Sequence, residues 1–221
     1  MPETDLNLES VAKNRNDGID STGHLMWPAE SFLAKFALSL PMGVLRGSKV
    51  LELGAGYSGL LGIALAKKYK NSNLEENDEN GQKIEIVVTD GNAHCEPKIE
   101  DNFKLNGLMN DDIIKTATFN WKNHSDFLEK WGKFDYIFGA DILFFRDYHN
   151  DLVDALDSLM SPDGLVYLMA PDRDNTLTQF CEKAQSRFLI EREALKSIEL
   201  FKDIFGNIES KPGYDKGKHD I

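Results

Sequence analysis

The chain has few cysteines and no long apolar run. Its 2 cysteines, Cys95 and Cys181, are too few for the disulfide frameworks that stabilise small secreted domains. No apolar run approaches the roughly 20 residues of a membrane-spanning helix. The polar N-terminus MPETDLNLES lacks the apolar centre of a secretory signal peptide. We therefore expect a soluble protein of a reducing compartment, in the cytoplasm and also the nucleus, with no membrane partner.

Basic residues are outnumbered by acidic ones. Lysine and arginine together number 25 against 37 aspartates and glutamates, which gives a net charge of −12. A surface of this sign repels the phosphates of DNA and RNA, so nucleic acid is not an expected partner. Small molecules and basic segments of other proteins are easier to accommodate.

Several catalytic signatures are also missing from the sequence. The 5 histidines show no H-E-x-x-H spacing and have no cysteine pair near them, so no metal site is predicted. There is no G-x-S-x-G element of the serine hydrolases, and no P-loop lysine follows the glycines. These classes of enzyme are therefore excluded.

What is present is an alternation of short apolar strands with amphipathic helices. Hydrophobic residues make up 41% of the chain, enough for a packed core. Strands are predicted at SKVLELGAG, KIEIVVTD, IKTATFNW, FDYIFGADILFF and LVYLMAP, with a sixth at FLIEREALK (188–196). Strands that alternate with helices indicate an α/β fold with a Rossmann-like, doubly wound and mostly parallel sheet.

The organisation along the chain is simple. Residues 1–22 are polar and rich in turn formers, and they are predicted to be a flexible N-terminal tail. Residues 23–221 are predicted to form one domain. Within it, the charged stretch 71–82 is predicted to be an exposed loop, and SPDG (161–164) is predicted to be a turn.

The first strand leads into a glycine turn with the spacing G-x-G-x-x-G, in VLELGAGYSGL. Gly54 permits the tight turn, Gly56 permits the close approach of a ligand, and Gly59 permits close packing of the next helix. Ligands of open parallel sheets bind beyond the carboxyl ends of the strands, so this turn faces the expected cleft. The spacing alone does not choose between cofactors.

Carboxylates at the strand ends help to choose. Glu52, two residues before the first glycine, would repel a pyrophosphate but would attract the ammonium of S-adenosylmethionine. Asp90, at the end of the second strand, can accept hydrogen bonds from ribose hydroxyls, although a helix cap is an alternative. Asp141 ends the fourth strand and is followed by Phe144 and Phe145, a combination suited to a substrate amine, with a capping role as the alternative.

These segments resemble a known family. VLELGAG, VVTDGN, FNW and FDYIFGADILFF, with HLMWPAE before the first helix and APDRDNTLTQFCEKA after the fifth strand, resemble the seven-β-strand class I methyltransferases. Within that class they are most similar to protein-lysine methyltransferases of the calmodulin-lysine type. The resemblance covers about residues 23–190. It implies transfer of a methyl group from S-adenosylmethionine to a lysine, with calmodulin as the protein partner.

The resemblance also implies roles for individual residues. The residues implied to bind the cofactor are Trp27, Glu52, Gly54, Ala55, Gly56, Asp90, Gly91, Asn92, Trp121 and Ala140. Those implied to face the incoming lysine, as the catalytic set, are Asp141, Phe144 and Phe145.

One departure from the family leaves alternatives open. The family closes its sheet with an antiparallel pair of final strands, whereas here no long apolar segment follows FLIEREALK before the terminal YDKGKHDI. Either the final antiparallel strand is missing, or the chain pairs its last strands differently. The alternatives are a methyltransferase acting on another protein or a small molecule, an NAD-dependent oxidoreductase, and a catalytically inactive binding module.

Overall fold

The computed structural model describes residues 23–72, 82–109 and 111–201. Three sequence predictions fall wholly or mostly outside these residues: the flexible tail 1–22, the loop 71–82 and the terminal segment YDKGKHDI. The single domain 23–221 likewise stays a prediction.

Within the described residues, strands and helices alternate as the sequence predicts. The strands are β1 (Lys49–Leu53), β2 (Glu85–Asp90), β3 (Ile114–Thr118), β4 (Phe134–Ala140) and β5 (Met160–Met169). The helices are α1 (Pro28–Ser39), α2 (Met42–Leu45), α3 (Leu60–Asn71), α4 (Cys95–Leu105), α5 (His124–Trp131), α6 (His149–Leu159) and α7 (Thr176–Ala184).

The five strands form one parallel sheet in the order β3-β2-β1-β4-β5. In the centre, Leu51 of β1 is in register with Val87 of β2 and with Ile137 of β4. From β1 the chain adds β2 and β3 on one side, and it then crosses over to add β4 and β5 on the other side. The direction in which strands are added therefore reverses between β1 and β4. The carboxyl ends of these two strands therefore border the crevice in which ligands of such sheets bind.

Side chains of the central strands alternate between two hydrophobic cores, one on each face of the sheet. Val50 packs in a core with α1, α3 and α4, whereas Leu51 packs in a second core with α5, α6 and α7. This alternation follows from the period of two in a strand. The predicted doubly wound architecture is confirmed.

The predicted sixth strand at 188–196 is wrong. This segment has irregular backbone and ends in a short 3-10 turn, Leu195–Ser197. Phe188 and Ile190 pack against the core formed with α5, α6 and α7, while Leu189 between them is 95% exposed. The apolar pattern therefore reflects packing onto that core, and not pairing at the edge of the sheet.

The predicted turn SPDG lies inside β5. Phe134 pairs with Met160 and Tyr136 pairs with Leu165, so β5 advances five residues where β4 advances two. The extra residues are accommodated as an irregularity of the ladder near its start. In the described parts of the chain, no helix is both long enough and apolar enough to cross a membrane.

Candidate active site

The glycine turn lies at the end of β1, and all three of its glycines have left-handed backbone conformation. The φ angles are 64° at Gly54, 57° at Gly56 and 56° at Gly59. A Cβ on Gly56 would lie 2.7 Å from the carbonyl oxygen of Gly23. The close approach that the sequence assigned to a ligand is thus made, in this structure, by the backbone that precedes α1.

That preceding segment crosses the glycine turn. The Gly23 carbonyl accepts a hydrogen bond of 2.8 Å from the backbone N–H of Tyr57. The His24 ring lies 4.5 Å from the Tyr57 ring, and its Nε2 is 2.8 Å from the Tyr57 hydroxyl. A few residues later Trp27 precedes α1 and is 46% exposed. Trp27 therefore stands exposed at the start of α1, and its contact with a cofactor stays a prediction.

Asp90 is fixed by backbone donors from two loops. Its Oδ2 accepts from Gly56 N at 2.9 Å, and its Oδ1 accepts from Asn92 N at 2.8 Å. The Ala55 N–H donates to the Thr89 carbonyl at 2.9 Å, which joins the glycine turn to the end of β2. The structure thus brings together Gly56, Asp90 and Asn92, and their contacts with a cofactor stay a prediction.

The end of β3 lies beside this pair of loops. Phe119 N donates to the Asp90 carbonyl at 2.8 Å, and exposed Gly91 approaches the Phe119 carbonyl. The strand ends at Thr118, earlier than the predicted IKTATFNW, because the Asn120 side chain caps a 3-10 turn that starts at Trp121. Half-buried Trp121 packs against the core formed with α5, α6 and α7, and its contact with the adenosine stays a prediction.

Glu52 points away from open solvent and into the start of α3. Only 4% of the residue is exposed, and its Oε2 accepts from Gly62 N at 2.8 Å. A second glutamate that the sequence analysis did not single out, Glu30 of α1, accepts from the Ser58 hydroxyl and from Leu60 N at 3.4 Å. Both carboxylates therefore bind the first turn of α3, and direct contact between Glu52 and a ligand's ammonium stays a prediction.

Carboxylates dominate the electrostatics around the glycine turn. Burial, with repulsion from Glu30, raises the pKa of Glu52 to about 8. Burial raises the pKa of Glu30 to about 7, although hydrogen bonds from Ser58 and Leu60 oppose that shift. Asp90 adds repulsion to both. A phosphate here would add further negative charge, whereas a cationic ligand would relieve the repulsion. These residues therefore fit a sulfonium and ammonium better than a pyrophosphate.

Asp141 lies just after β4 with left-handed backbone, at a φ of 52°. Its N–H donates to the Met169 carbonyl at 2.8 Å, and the preceding residue, half-buried Ala140, is in register with Met169 on β5. Left-handed aspartates are uncommon and occur at turns and functional sites. The bend places the Asp141 side chain at the crevice.

The Asp141 carboxylate already has a cationic partner. Arg173, in the loop after β5, places Nη1 3.4 Å from Oδ1 and Nη2 3.2 Å from Oδ2. Burial raises the pKa of Asp141, and the charge and hydrogen bonds of Arg173 oppose that shift. The Arg173 guanidinium also lies 5.3 Å from the centre of the Trp27 ring. Arg173 belongs to the segment APDRDN, but no role for it was predicted from the sequence.

Aromatic rings stand exposed beside Asp141. The rings of Phe144 and Phe145 are 4.2 Å apart, and Tyr148 contacts Phe145 edge-on at 5.8 Å. Phe145 is 49% exposed, which is high for a large apolar side chain. Buried His149 fixes the loop through a contact of 2.8 Å between its Nε2 and the Leu143 carbonyl. The three residues predicted to face the lysine therefore share one short loop.

Metal ligands do not add to this picture. Over residues 23–72, 82–109 and 111–201, no three histidine, cysteine, aspartate or glutamate side chains are grouped so as to hold a metal ion.

Comparisons with known proteins find relatives among the lysine methyltransferases. Residues 7–187 match the model of a family described as lysine methyltransferase. The calmodulin-lysine N-methyltransferase of Arabidopsis thaliana is 28% identical, over 96% of this chain and 67% of the relative. The protein N-lysine methyltransferase METTL21A of Mus musculus is 25% identical, over 80% of this chain and 75% of the relative. A protein-lysine N-methyltransferase EFM3 of Chaetomium thermophilum aligns with 70% of this chain, which spans 44% of that relative.

Among solved structures, the fibrillarin/Nop5p complex contains a chain similar in fold. The TM-score is 0.51 with 18% sequence identity, over 69% of this chain and 68% of that one. This likeness concerns the fold and carries no further conclusion.

Proposed function

The chain belongs to the lysine methyltransferase family, and from that premise we propose that it transfers a methyl group from S-adenosylmethionine to a lysine of calmodulin. The observation that carries the proposal is the buried Asp141 carboxylate, which follows β4 on the same short loop as the exposed and mutually packed rings of Phe144 and Phe145. A carboxylate with aromatic walls attracts an ammonium and then shields it from water.

The cofactor side of the crevice is formed by the ends of β1, β2 and β3. The glycine turn (54–56) would hold the methionine portion, and Asp90 would accept hydrogen bonds from the ribose hydroxyls. Gly91, Asn92 and Trp121 would lie along the adenosine. Trp27 and Ala140 would border the pocket. The cofactor supplies an activated methyl group on a sulfonium, and S-adenosylhomocysteine is the product.

The chain's own contribution to the reaction is to position the lysine amine. A free lysine has a pKa near 10.4, so removing its proton at pH 7 costs roughly 4–5 kcal/mol. Desolvation against the rings of Phe144 and Phe145 lowers that pKa, whereas Asp141 favours the charged form. Asp141 therefore captures and aims the amine, the proton leaves to water, and the nitrogen attacks the methyl group in line with the departing sulfur.

The competing hypotheses differ in what they ask of the glycine turn. An NAD-dependent oxidoreductase would place a pyrophosphate near Glu30, Glu52 and Asp90, where burial, with added repulsion from neighbouring carboxylates, already raises the pKa of both glutamates. The charge arrangement therefore favours the methyltransferase. An inactive binding module and a different protein or small-molecule substrate are distinguished by experiment.

Calmodulin as the substrate is supported by the Arabidopsis relative. Calmodulin is itself acidic, so the net charge of −12 opposes long-range association and local contacts must overcome it. Location in the cytoplasm and nucleus belongs to the same proposal.

The test is to incubate the protein with S-adenosylmethionine and calmodulin, beside unrelated lysine-rich proteins, and to measure intact masses. Methyl additions on calmodulin alone are expected, and they should be lost in Asp141→Ala. Asp157→Ala is the matched control, since this exposed aspartate pairs with Arg187 on the outer surface of α6.

Each other outcome contradicts a stated part of the proposal. Methylation of another protein but not of calmodulin would exclude the substrate and keep the enzyme class. Binding of S-adenosylhomocysteine without transfer to any protein would favour a small-molecule substrate or an inactive binding module. Thermal stabilisation by NADH and not by S-adenosylhomocysteine would favour the oxidoreductase.

A further inference from the structure

We propose that Arg173 makes the enzyme selective for lysines that have a carboxylate as a close neighbour in the substrate. In the free enzyme Arg173 forms an ion pair with Asp141. When the substrate binds, Arg173 moves to the substrate's carboxylate and the lysine amine replaces it at Asp141. This inference rests on the proposed function, because it assigns the flanking chemistry of the substrate to the same site.

The geometry makes Asp141 unavailable until Arg173 moves. Two nitrogens of the guanidinium bind the two oxygens of the carboxylate, at 3.4 and 3.2 Å. In a bidentate pair of this kind each carboxylate oxygen already accepts a hydrogen bond from the guanidinium. An amine that approaches Asp141 along the aromatic rings therefore competes with Arg173 for the same oxygens.

The two partners differ in how easily they can separate. The Asp141 side chain is 6% exposed, whereas the Arg173 side chain is 49% exposed. Leaving a buried carboxylate without a cation is costly, so Asp141 needs a replacement before Arg173 leaves. The substrate ammonium supplies one. Arg173 can swing outward because its other described contact is the half-exposed face of Trp27.

A carboxylate near the target lysine makes the exchange complete. Before binding there is one ion pair in the enzyme and, in the substrate, a lysine with a nearby acid. After binding, the lysine pairs with Asp141, and the acid pairs with Arg173. On a helical substrate an acid three or four residues from the lysine lies on the same face of the helix. The acid can then reach Arg173 while the lysine reaches Asp141. A neutral neighbour would leave the displaced guanidinium without a partner under the bound chain.

The loop that carries Arg173 holds the backbone of this residue in a fixed position. The next two residues, Asp174 and Asn175, have left-handed φ angles of 50° and 62°. Arg146 donates to the Asp174 carbonyl and ties this loop to the one that bears Phe145. The backbone at 173 is therefore anchored while its side chain is free to exchange partners. Local recognition by this cation would let an acidic enzyme accept an acidic target.

The experiment measures binding of two helical peptides to the enzyme loaded with S-adenosylhomocysteine, by calorimetry. Each peptide has one lysine, flanked three and four residues away by Glu in one and by Gln in the other. Wild type should bind the Glu peptide at least fivefold more tightly. The preference should disappear in Arg173→Gln, partly return in Arg173→Lys, and persist in Arg187→Gln, which removes an exposed arginine paired with Asp154 and Asp157.

Equal affinity of wild type for the two peptides, undetectable binding of both, or a preference that survives in Arg173→Gln would overturn the inference. Thermal melting of each variant shows whether it is folded. Methyl transfer to the bound peptide, followed separately by mass, reports on the proposed function. A peptide that binds with the Arg173-dependent preference but is never methylated would contradict the proposed function and not the selectivity.

Discussion

Glu30 and Glu52 come from different elements and bind the same turn of one helix. Glu30 Oε1 lies 3.4 Å from Leu60 N, and Glu52 Oε2 lies 2.8 Å from Gly62 N. Carboxylates at the start of a helix are favourable, because they satisfy unpaired N–H groups and oppose the helix dipole. Here two of them are buried close enough to repel each other. The start of α3 is therefore sensitive to pH.

We expect stability to fall as the pH rises from 5.5 to 8.5. The folded pKa values of about 7 for Glu30 and about 8 for Glu52 exceed the ordinary glutamate value near 4.5. Stability from these groups is thus fully present below about pH 4.5, and it is lost as the pH rises through 7 and 8. The loss is on the order of a few kcal/mol. Urea unfolding at each pH measures it.

The matched variants for this pH effect are Glu52→Gln and Glu129→Gln. Glutamine at 52 can still accept from Gly62 N but does not titrate, so its slope of stability against pH should be shallower. Glu129 is exposed on α5, and its replacement should leave the slope unchanged. The same slope in wild type and in Glu52→Gln would contradict the assignment.

Binding of S-adenosylmethionine should release protons. A ligand with a sulfonium and an ammonium favours the ionised forms of Glu30 and Glu52, so its affinity should rise between pH 6.5 and 8.5. S-adenosylhomocysteine lacks the sulfonium and should show a smaller rise. Calorimetry in phosphate and in Tris gives the number of protons released. A number that is unchanged in Glu52→Gln would exclude this glutamate as a source.

Gly56→Ala should abolish most binding of S-adenosylhomocysteine. The left-handed φ alone costs roughly 1–2 kcal/mol for alanine, and the new Cβ would lie 2.7 Å from the Gly23 carbonyl. The segment before α1 must then move off the turn, and we expect affinity to fall at least tenfold. Gly107→Ala is the control, with a φ of 70° and nothing within 4 Å of the new Cβ. It should lose similar stability but keep its affinity.

His149→Phe should destabilise the loop that carries Phe144 and Phe145. It removes the contact of 2.8 Å with the Leu143 carbonyl and leaves that buried oxygen unpaired, which costs about 1–3 kcal/mol. The KM for the protein substrate should rise more than kcat falls, because the loop is mispositioned. His149→Gln can restore a donor and should recover part of both effects. If the two variants behave alike, the hydrogen bond does not position the loop.

The sequence was sufficient for most of the fold. Strands such as KIEIVVTD and helices such as α3 have the periodicities that packing on a two-faced sheet requires. Their order and type are confirmed in the structure. The exceptions are SPDG (161–164), which lies inside β5, the end of IKTATFNW, which lies beyond β3, and 188–196, whose apolar residues pack on the core without pairing at the sheet edge. The sequence of one segment does not show whether a free edge of the sheet lies next to it in the fold.

The candidate site was only partly predictable. Glycines and strand-end carboxylates could be placed at the crevice, because parallel strands bring their carboxyl ends together. Side-chain direction at a bend could not be deduced, so the pairing of Asp141 with Arg173 was missed, as was the turn of Glu52 toward α3. Arg173 is 32 residues from Asp141 in the chain, so no local sequence pattern indicates this pair. The contact of Glu52 with Gly62 depends on how α3 packs on β1, which the spacing alone does not give.

The segment before α1 takes part in two neighbourhoods at once. At Gly23 it rests on the glycine turn, and at Trp27 it contacts Arg173, the partner of Asp141. A substrate that draws Arg173 away therefore removes a contact from the same segment that overlies the cofactor side. We expect the two ligands to be thermodynamically coupled and reciprocally so, each altering the other's dissociation constant by the same factor.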